Sequence, residues 1–178
     1  MNDKPFLTDI KTLRERARRN MSEGAVTEGY GADRAAVLKV LNTVLATEIV
    51  CVLRYKRHHY MATGLDAQNA ATEFLQHANE EQGHADQVAQ RIVQLQGEPD
   101  FDPEGLAARS HSEYHAGKNL TDMIKEDLVA ERIAIDSYRE IIAWLGMKDP
   151  TTRSMMEGIL TMEEEHADDL VNLLTRLS

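Results

Sequence analysis

A chain of 178 residues, 42% hydrophobic and 28% charged, is long enough to bury one sizeable core and reads as a soluble globular protein. Its formal charge of −10 argues against a surface that binds nucleic acid throughout. Its single cysteine, Cys51, excludes an intrachain disulfide framework and any cysteine-built zinc or iron–sulfur site. With only 4 Pro, 10 Gly and 5% aromatic residues, the composition favours helix over an all-β sandwich or barrel. No run of about 18 apolar residues is present and the N-terminus lacks the apolar core of a signal peptide, so the expected location is the cytosol, without a membrane partner.

In chain order, residues 1–32 form a basic arm. Between Lys4 and Arg19, the six cations Lys4, Lys11, Arg14, Arg16, Arg18 and Arg19 are set against only Asp9 and Glu15. Phe6, Ile10, Leu13 and Ala17 have the spacing of a short helix after Pro5, and Gly24, Gly29 and Gly31 read as a flexible link. Three readings stay open for the arm: packing on a neighbouring subunit, touching DNA or another anionic surface, or disorder. Residues 33–178 read as a bundle. Asp33 caps a first long helix running to about Thr63, whose stripe is Val37, Leu41, Val44, Glu48, Val52, Tyr55 and His59. A second, from roughly Asp66 to Gln96, carries Phe74, Glu81, His84, Val88, Ile92 and Leu95 inward and is stopped by Gly97 and Pro99. A long connection follows, with a brief helical turn around Pro103 to Ser112. The third long helix, from about Asn119 to Leu145, faces inward through Ile124, Leu128, Glu131, Ile135, Tyr138 and Ile142. The fourth, after Pro150, uses Met156, Ile159, Glu163, His166, Leu170 and Leu173. Short first and last turns with one long crossover between the second and third helices predict an all-α, antiparallel four-helix bundle.

The polar residues within these stripes repeat. Glu81-Gln82-Gly83-His84-Ala85-Asp86 returns as Glu163-Glu164-Glu165-His166-Ala167-Asp168. In each copy the Glu and His lie three apart, about 60° around a helix and one turn along it, so both point the same way. Glu48 precedes Glu81 by 33 positions and Glu131 precedes Glu163 by 32, while Tyr55 and Tyr138 each follow the earlier Glu by seven. A helical hairpin has been used twice. Folded antiparallel, it brings four Glu and two His together in the core. Four buried carboxylates repel one another and lose their hydration, and two divalent metal ions supply the missing positive charge. Carboxylate and imidazole without thiolate suit iron or manganese better than calcium.

These motifs resemble the ferritin-like superfamily over about residues 33–177, and within it the bacterioferritin and Dps-like branch. The resemblance rests on the two Glu-x-x-His-Ala-Asp copies, Arg91-Ile92, Gly97-Glu98-Pro99 and Asp127-Leu128-Val129-Ala130-Glu131. It implies two irons per chain, with Glu48 and Glu131 as terminal carboxylates, Glu81 and Glu163 as bridges, and His84 and His166 each capping one iron. It also implies electron transfer at Tyr55, whereas Tyr138 reads as a core tyrosine. Asp127 matches an acidic residue near the site, and Cys51 reads as a small buried hydrophobe.

The chain departs from bacterioferritins at two places. Gln82 stands where the family's haem-binding methionine follows the bridging glutamate, so haem is not expected. Only 12 residues follow His166, too few for the fifth C-terminal helix of the larger ferritins. A homo-oligomeric dodecamer is therefore expected over a 24-mer. The implied activity is a ferroxidase that oxidises Fe(II) with O2 or H2O2 and stores ferric mineral. The alternatives are a Dps-like protein protecting DNA under oxidative stress through its arm, and a di-manganese catalase or other diiron oxidase on the same scaffold.

Overall fold

Capping chemistry sets where the helices begin. In the computed structural model, which describes residues 8–64 and 67–177, the side chains of Asp33, Asn119 and Asp149 accept from the backbone N–H of Ala36, Asp122 and Thr152 at 3.2, 2.9 and 2.9 Å. These caps open α2 (Arg34–Met61), α5 (Leu120–Leu145) and α6 (Pro150–Arg176). The fourth long helix is α3 (Ala67–Gln94), with the short α1 (Ile10–Ala17), a 3-10 turn (Met21–Glu23) and α4 (Leu106–Arg109) completing the described elements. The first two long helices end about two residues before the sequence expectation. The expected start of the second at Asp66 lies outside the described residues, as do Lys4, Pro5 and Phe6.

The architecture is the expected all-α antiparallel four-helix bundle with one long crossover: α2 packs mainly on α3, α5 mainly on α6, and residues 95–119 connect the pairs. At the exit of α3 the backbone presses against α2. A Cβ on Gly97 would lie 2.4 Å from Leu38 Cδ2, so only glycine fits without movement.

The crossover is fixed by polar side chains of α2. Asn42 donates to Glu98 O and accepts from Asp100 N–H, Thr47 accepts from His111 N–H, Arg54 donates to Ser112 Oγ and Glu113 O, and His58 Nε2 donates to His115 O. Helix α2 is therefore covered on two sides. Its inner stripe is the expected Val37, Leu41, Val44, Glu48, Val52 and Tyr55. A second stripe, Thr47, Cys51, Arg54 and His58, is buried under the crossover. This corrects the expectation for His59, which is only half-buried and donates to Ala71 O at 2.7 Å; His58 is the residue that is fully buried. Helix α2 is long and apolar enough to cross a membrane by composition, but that apolar length is spent on covering from two sides.

Helix α5 is rotated relative to expectation. Ile124, Glu131 and Tyr138 do face inward, but Asp127, Ala130, Ala134, Ile141 and Leu145 complete the buried face, while Leu128, Ile135 and Ile142 are only half-buried. The turn brings Asp127 to Arg54 and His58, each 2.7 Å away. On α3 and α6 every expected core residue is buried.

Apolar residues form two clusters. One joins Val37, Leu41, Val44, Val88, Ile92, Ile141, Met156 and Ile159; the other joins Phe74, Ala78, Ile124, Leu170 and Leu173. Each fully buried side chain of the Leu, Ile or Phe kind contributes about 1.5–3 kcal/mol. The repeated Glu and His positions fall between the two clusters, which shield them from water.

Helix α1 has no buried residue, but the glycine-containing link behind it is attached to the bundle: Val26 is buried in the first cluster and Tyr30 OH donates to Asp149 at 2.9 Å. Asp149 also pairs with Arg91 at 2.9 Å and accepts from Thr152, so one carboxylate joins the link, α3 and the start of α6. Burial pushes its pKa up, yet the hydrogen bonds from Thr152 and Tyr30 and the charge of Arg91 hold it below the usual aspartate value. Its stabilisation is complete above about pH 4 and is lost as the pH falls through the lowered folded value. Asp149→Ala should cost about 3–5 kcal/mol in urea unfolding, because it strands Arg91 and removes a cap, whereas the ordinary cap variant Asp33→Ala should cost about 1 kcal/mol. Equal losses in the two variants would show that Asp149 is no more than a cap.

Candidate metal centre

Each long helix delivers one carboxylate to the layer between the apolar clusters, and α3 and α6 each add an imidazole one turn later. Glu48, Glu81, Glu131, Glu163, His84 and His166 are all buried there. Glu48, Glu81, His84 and Glu163 offer one set of converging ligand atoms, and Glu81, Glu131, Glu163 and His166 a second, with all atoms of a set within 4.8 Å of one another. The sets share Glu81 and Glu163.

Both histidines turn Nδ1 inward. His84 Nδ1 lies 3.1 Å from Glu163, 3.3 Å from Glu81 and 3.4 Å from Glu48. His166 Nδ1 lies 3.5 Å from both Glu81 and Glu163 and 4.0 Å from Glu131. Its Nε2 is 2.9 Å from Glu80, a carboxylate that orients the ring from behind.

The duplication crosses over at the tyrosines. Tyr55 OH donates to Glu131 and Tyr138 OH donates to Glu48, so each half of the chain holds the other half's glutamate by one oxygen. Tyr138 lies in the core as expected, but its contact with the site mirrors that of Tyr55.

The electrostatics are those of negative charge confined without water. Burial, then the charge of Glu81, pushes Glu48 up to about 8. Burial, then Glu163 and Glu81, raises Glu131 well above the usual range. For Glu81 and Glu163 burial acts in the same direction, but the close approach of the His84 and His166 imidazoles wins and both are held below the ordinary glutamate value. Burial alone would lower His84 and His166, yet the surrounding carboxylates raise both, His166 to about 11. Glu48 Oε2, Glu81 Oε1, both Glu163 oxygens and His166 Nδ1 are buried without a hydrogen bond. A buried polar atom left unpaired costs about 1–3 kcal/mol, more when charged. Unpaired oxygens and an imidazole nitrogen aimed at common points are what divalent iron or manganese would engage.

Three further polar residues lie close by. Asp127 does not contact either inward-facing histidine; it is held by Arg54 and His58 on the crossover side. Arg54 donates to Cys51 Sγ at 3.6 Å, and burial pushes the Cys51 thiol up, as expected for an inert core residue. His77 is fully buried, stacks on His166 with 4.1 Å between ring centres, and lies 3.3 Å from Tyr55 OH through Nδ1. Burial, then the charge of His166, lowers it to about 3. The stripe reading of α3 passes over His77, although it sits three residues after Phe74 and four before Glu81. Gln82 is exposed and donates to Asp86 at 3.0 Å.

The ferritin-like domain family matches residues 38–178. A bacterioferritin from Rhodobacter capsulatus is 26% identical over 147 residues, covering 80% of this chain and 87% of its own. A nutrient stress-induced DNA-binding protein from Nostoc is 29% identical over 145 residues, covering 80% and 79%. Among solved structures, a dodecameric thioferritin, the bacterioferritin-related protein from Bacteroides fragilis, superimposes with a TM-score of 0.79 at 30% identity over 83% of this chain and 89% of that one. Dps from Thermosynechococcus elongatus shares the fold, with a TM-score of 0.75 at 21% identity over 79% and 90%. The chain belongs to the ferritin-like family, as a protein of bacterioferritin and Dps type.

Proposed function

We propose that this protein is a ferroxidase that takes up Fe(II), oxidises it at a dinuclear centre and stores the ferric product. The observation that carries this reading is the pair of four-residue ligand sets sharing Glu81 and Glu163, with Glu48 Oε2, Glu81 Oε1 and both Glu163 oxygens left without a hydrogen bond. Glu48, Glu81, His84 and Glu163 would hold one iron, and Glu81, Glu131, Glu163 and His166 the other. Two Fe(II) give up two electrons, enough to reduce O2 to H2O2 or H2O2 to water.

The chain's own part is positioning and proton management. Tyr138 and Tyr55 hold one oxygen of Glu48 and of Glu131, which leaves the second oxygen of each for metal. Glu80 turns His166 so that Nδ1 faces inward. The apolar clusters above and below keep the carboxylates from being hydrated, which strengthens their hold on cations. Tyr55, linked to Glu131, would give an electron and a proton to the site in this reading. Storage in a homo-oligomeric shell, with a dodecamer favoured, is supported by the dodecameric relative at 30% identity. A cytosolic location belongs to the same reading.

A second, compatible activity is DNA binding. Helix α1 and the residues after it carry Lys11, Arg14, Arg16, Arg18 and Arg19, none of them buried, although Glu28 lies 3.2 Å from Arg19 and 3.8 Å from Arg16. The Nostoc relative is named for DNA binding.

Stopped-flow oxidation under air should show Fe(II) consumed rapidly at about two per chain, slowing by at least about 100-fold in Glu81→Ala or Glu163→Ala, since even groups behind metal ligands are worth about 10–100-fold. Oxidation at the parental rate in both variants would refute the ferroxidase. Manganese retained on purification, with peroxide disproportionation and no iron oxidation, would favour the catalase instead. For DNA, a mobility-shift assay should show salt-dependent retardation that disappears when residues 1–20 are deleted; no shift at low salt excludes it.

A further inference from the structure

Beside the dinuclear centre, Glu73 and His77 of α3 and Asp169 of α6 converge on one point. His77 Nε2 is buried and accepts or donates no hydrogen bond, although Glu73 Oε1 lies 3.4 Å away and Asp169 Oδ2 3.9 Å away. The other side of the ring fixes which nitrogen carries the proton. Tyr55 OH donates to Glu131, so its oxygen is free to accept, and His77 Nδ1–H donates to it at 3.3 Å. Nε2 is then a bare lone pair aimed at two carboxylates. Three electron-rich atoms facing one another is unfavourable unless a cation lies between them. The carboxylates also feel each other: burial, then Asp169, raises the Glu73 pKa.

We propose that Glu73, His77 and Asp169 form a third divalent-metal site, of the Zn(II) or Fe(II) class, at the edge of the dinuclear centre. Ligands about 2.0–2.2 Å from a tetrahedral metal stand about 3.3–3.6 Å apart. His77 Nε2 is already 3.4 Å from Glu73 and 3.9 Å from Asp169, and all three ligand atoms lie within 4.8 Å of one another. The two partly exposed carboxylates close the remaining gap, with water in the fourth position. Glu73 and Asp169 side chains are 27% and 48% exposed, so an ion reaches the site from solvent, while the His77 ring lies against His166. The Tyr55 hydrogen bond on Nδ1 orients the ring as a partner behind a metal-bound imidazole does. The site uses neither Glu81 nor Glu163 and stands whether or not the dinuclear centre oxidises iron.

The test uses full-length metal-free protein titrated with Zn(II), a redox-inert probe, with bound metal counted after gel filtration. Three ions per chain are expected in the parent and two in Glu73→Gln/Asp169→Asn, whose changes are at partly exposed carboxylates and should leave the melting temperature unchanged. Glu81→Ala should still bind one ion, and lose it when combined with the double change. A zinc anomalous peak bonded to His77 Nε2 in parental crystals, absent from the double variant, would locate it. Equal zinc counts in the parent and the double variant overturn the third site and leave the dinuclear reading untouched. A Glu81→Ala protein that keeps every ion overturns the dinuclear reading and leaves the third site standing.

Discussion

Mutual repulsion among four buried carboxylates is the constraint on which the rest of this structure depends. Glu48, Glu81, Glu131 and Glu163 are each about 1% exposed, and no arrangement of neutral neighbours could keep all four ionised away from water. In metal-free protein the balance is kept by protons. Both imidazoles are held charged by the carboxylates around them, and Glu48 and Glu131 are pushed toward the neutral acid, while Glu81 and Glu163 remain anionic. Two positive charges then face two negative ones. Under the proposed dinuclear reading, two divalent ions would reach the same neutrality with the four glutamates and two histidines deprotonated. The polar layer is thus tolerable in either state.

The duplicated hairpin gives that layer its shape. Because the halves pack antiparallel, Tyr55 reaches Glu131 and Tyr138 reaches Glu48, so neither half completes the site alone. The apolar clusters on either side supply stability and exclude water; the buried ionic layer does not replace them, since such layers are weak sources of stability in themselves. Helix α2 joins the two tasks. One stripe contributes Glu48 and Tyr55 to the layer, and the other fixes the long crossover through Thr47, Arg54 and His58.

The periodicity of the chain carries much of this. An acidic residue at Glu48 within Val37, Leu41, Val44, Val52 and Tyr55 can only face inward if the helix is amphipathic, and the same holds for Glu131. The two Glu-x-x-His copies are local features that survive any packing of the helices, so the convergence of these six side chains is legible in the residue pattern alone. The rotation of α5 is not, because Leu128 and Ile135 make as good an apolar stripe as Ala130 and Ala134; what decides between them is the pairing of Asp127 with Arg54, 73 positions apart. His58 and His59 are adjacent, and only the path of the crossover determines which of them is buried. His77 sits at stripe spacing but is overlooked by a template that counts apolar residues. The link through Val26 and Tyr30 is hidden by its glycines, since composition does not reveal that Asp149 waits for the phenol.

The most direct measurement of the central claim is calorimetric titration of metal-free protein with Co(II) at pH 7, in buffers of differing ionisation enthalpy. If protons and metal alternate in the same buried layer, the first two ions bound per chain release about four protons, two from imidazolium and two from carboxylic acid, and binding weakens as the pH falls. Two ions taken up with no release of protons, or uptake unchanged when Glu81 and Glu163 are both replaced by Ala, would contradict the account.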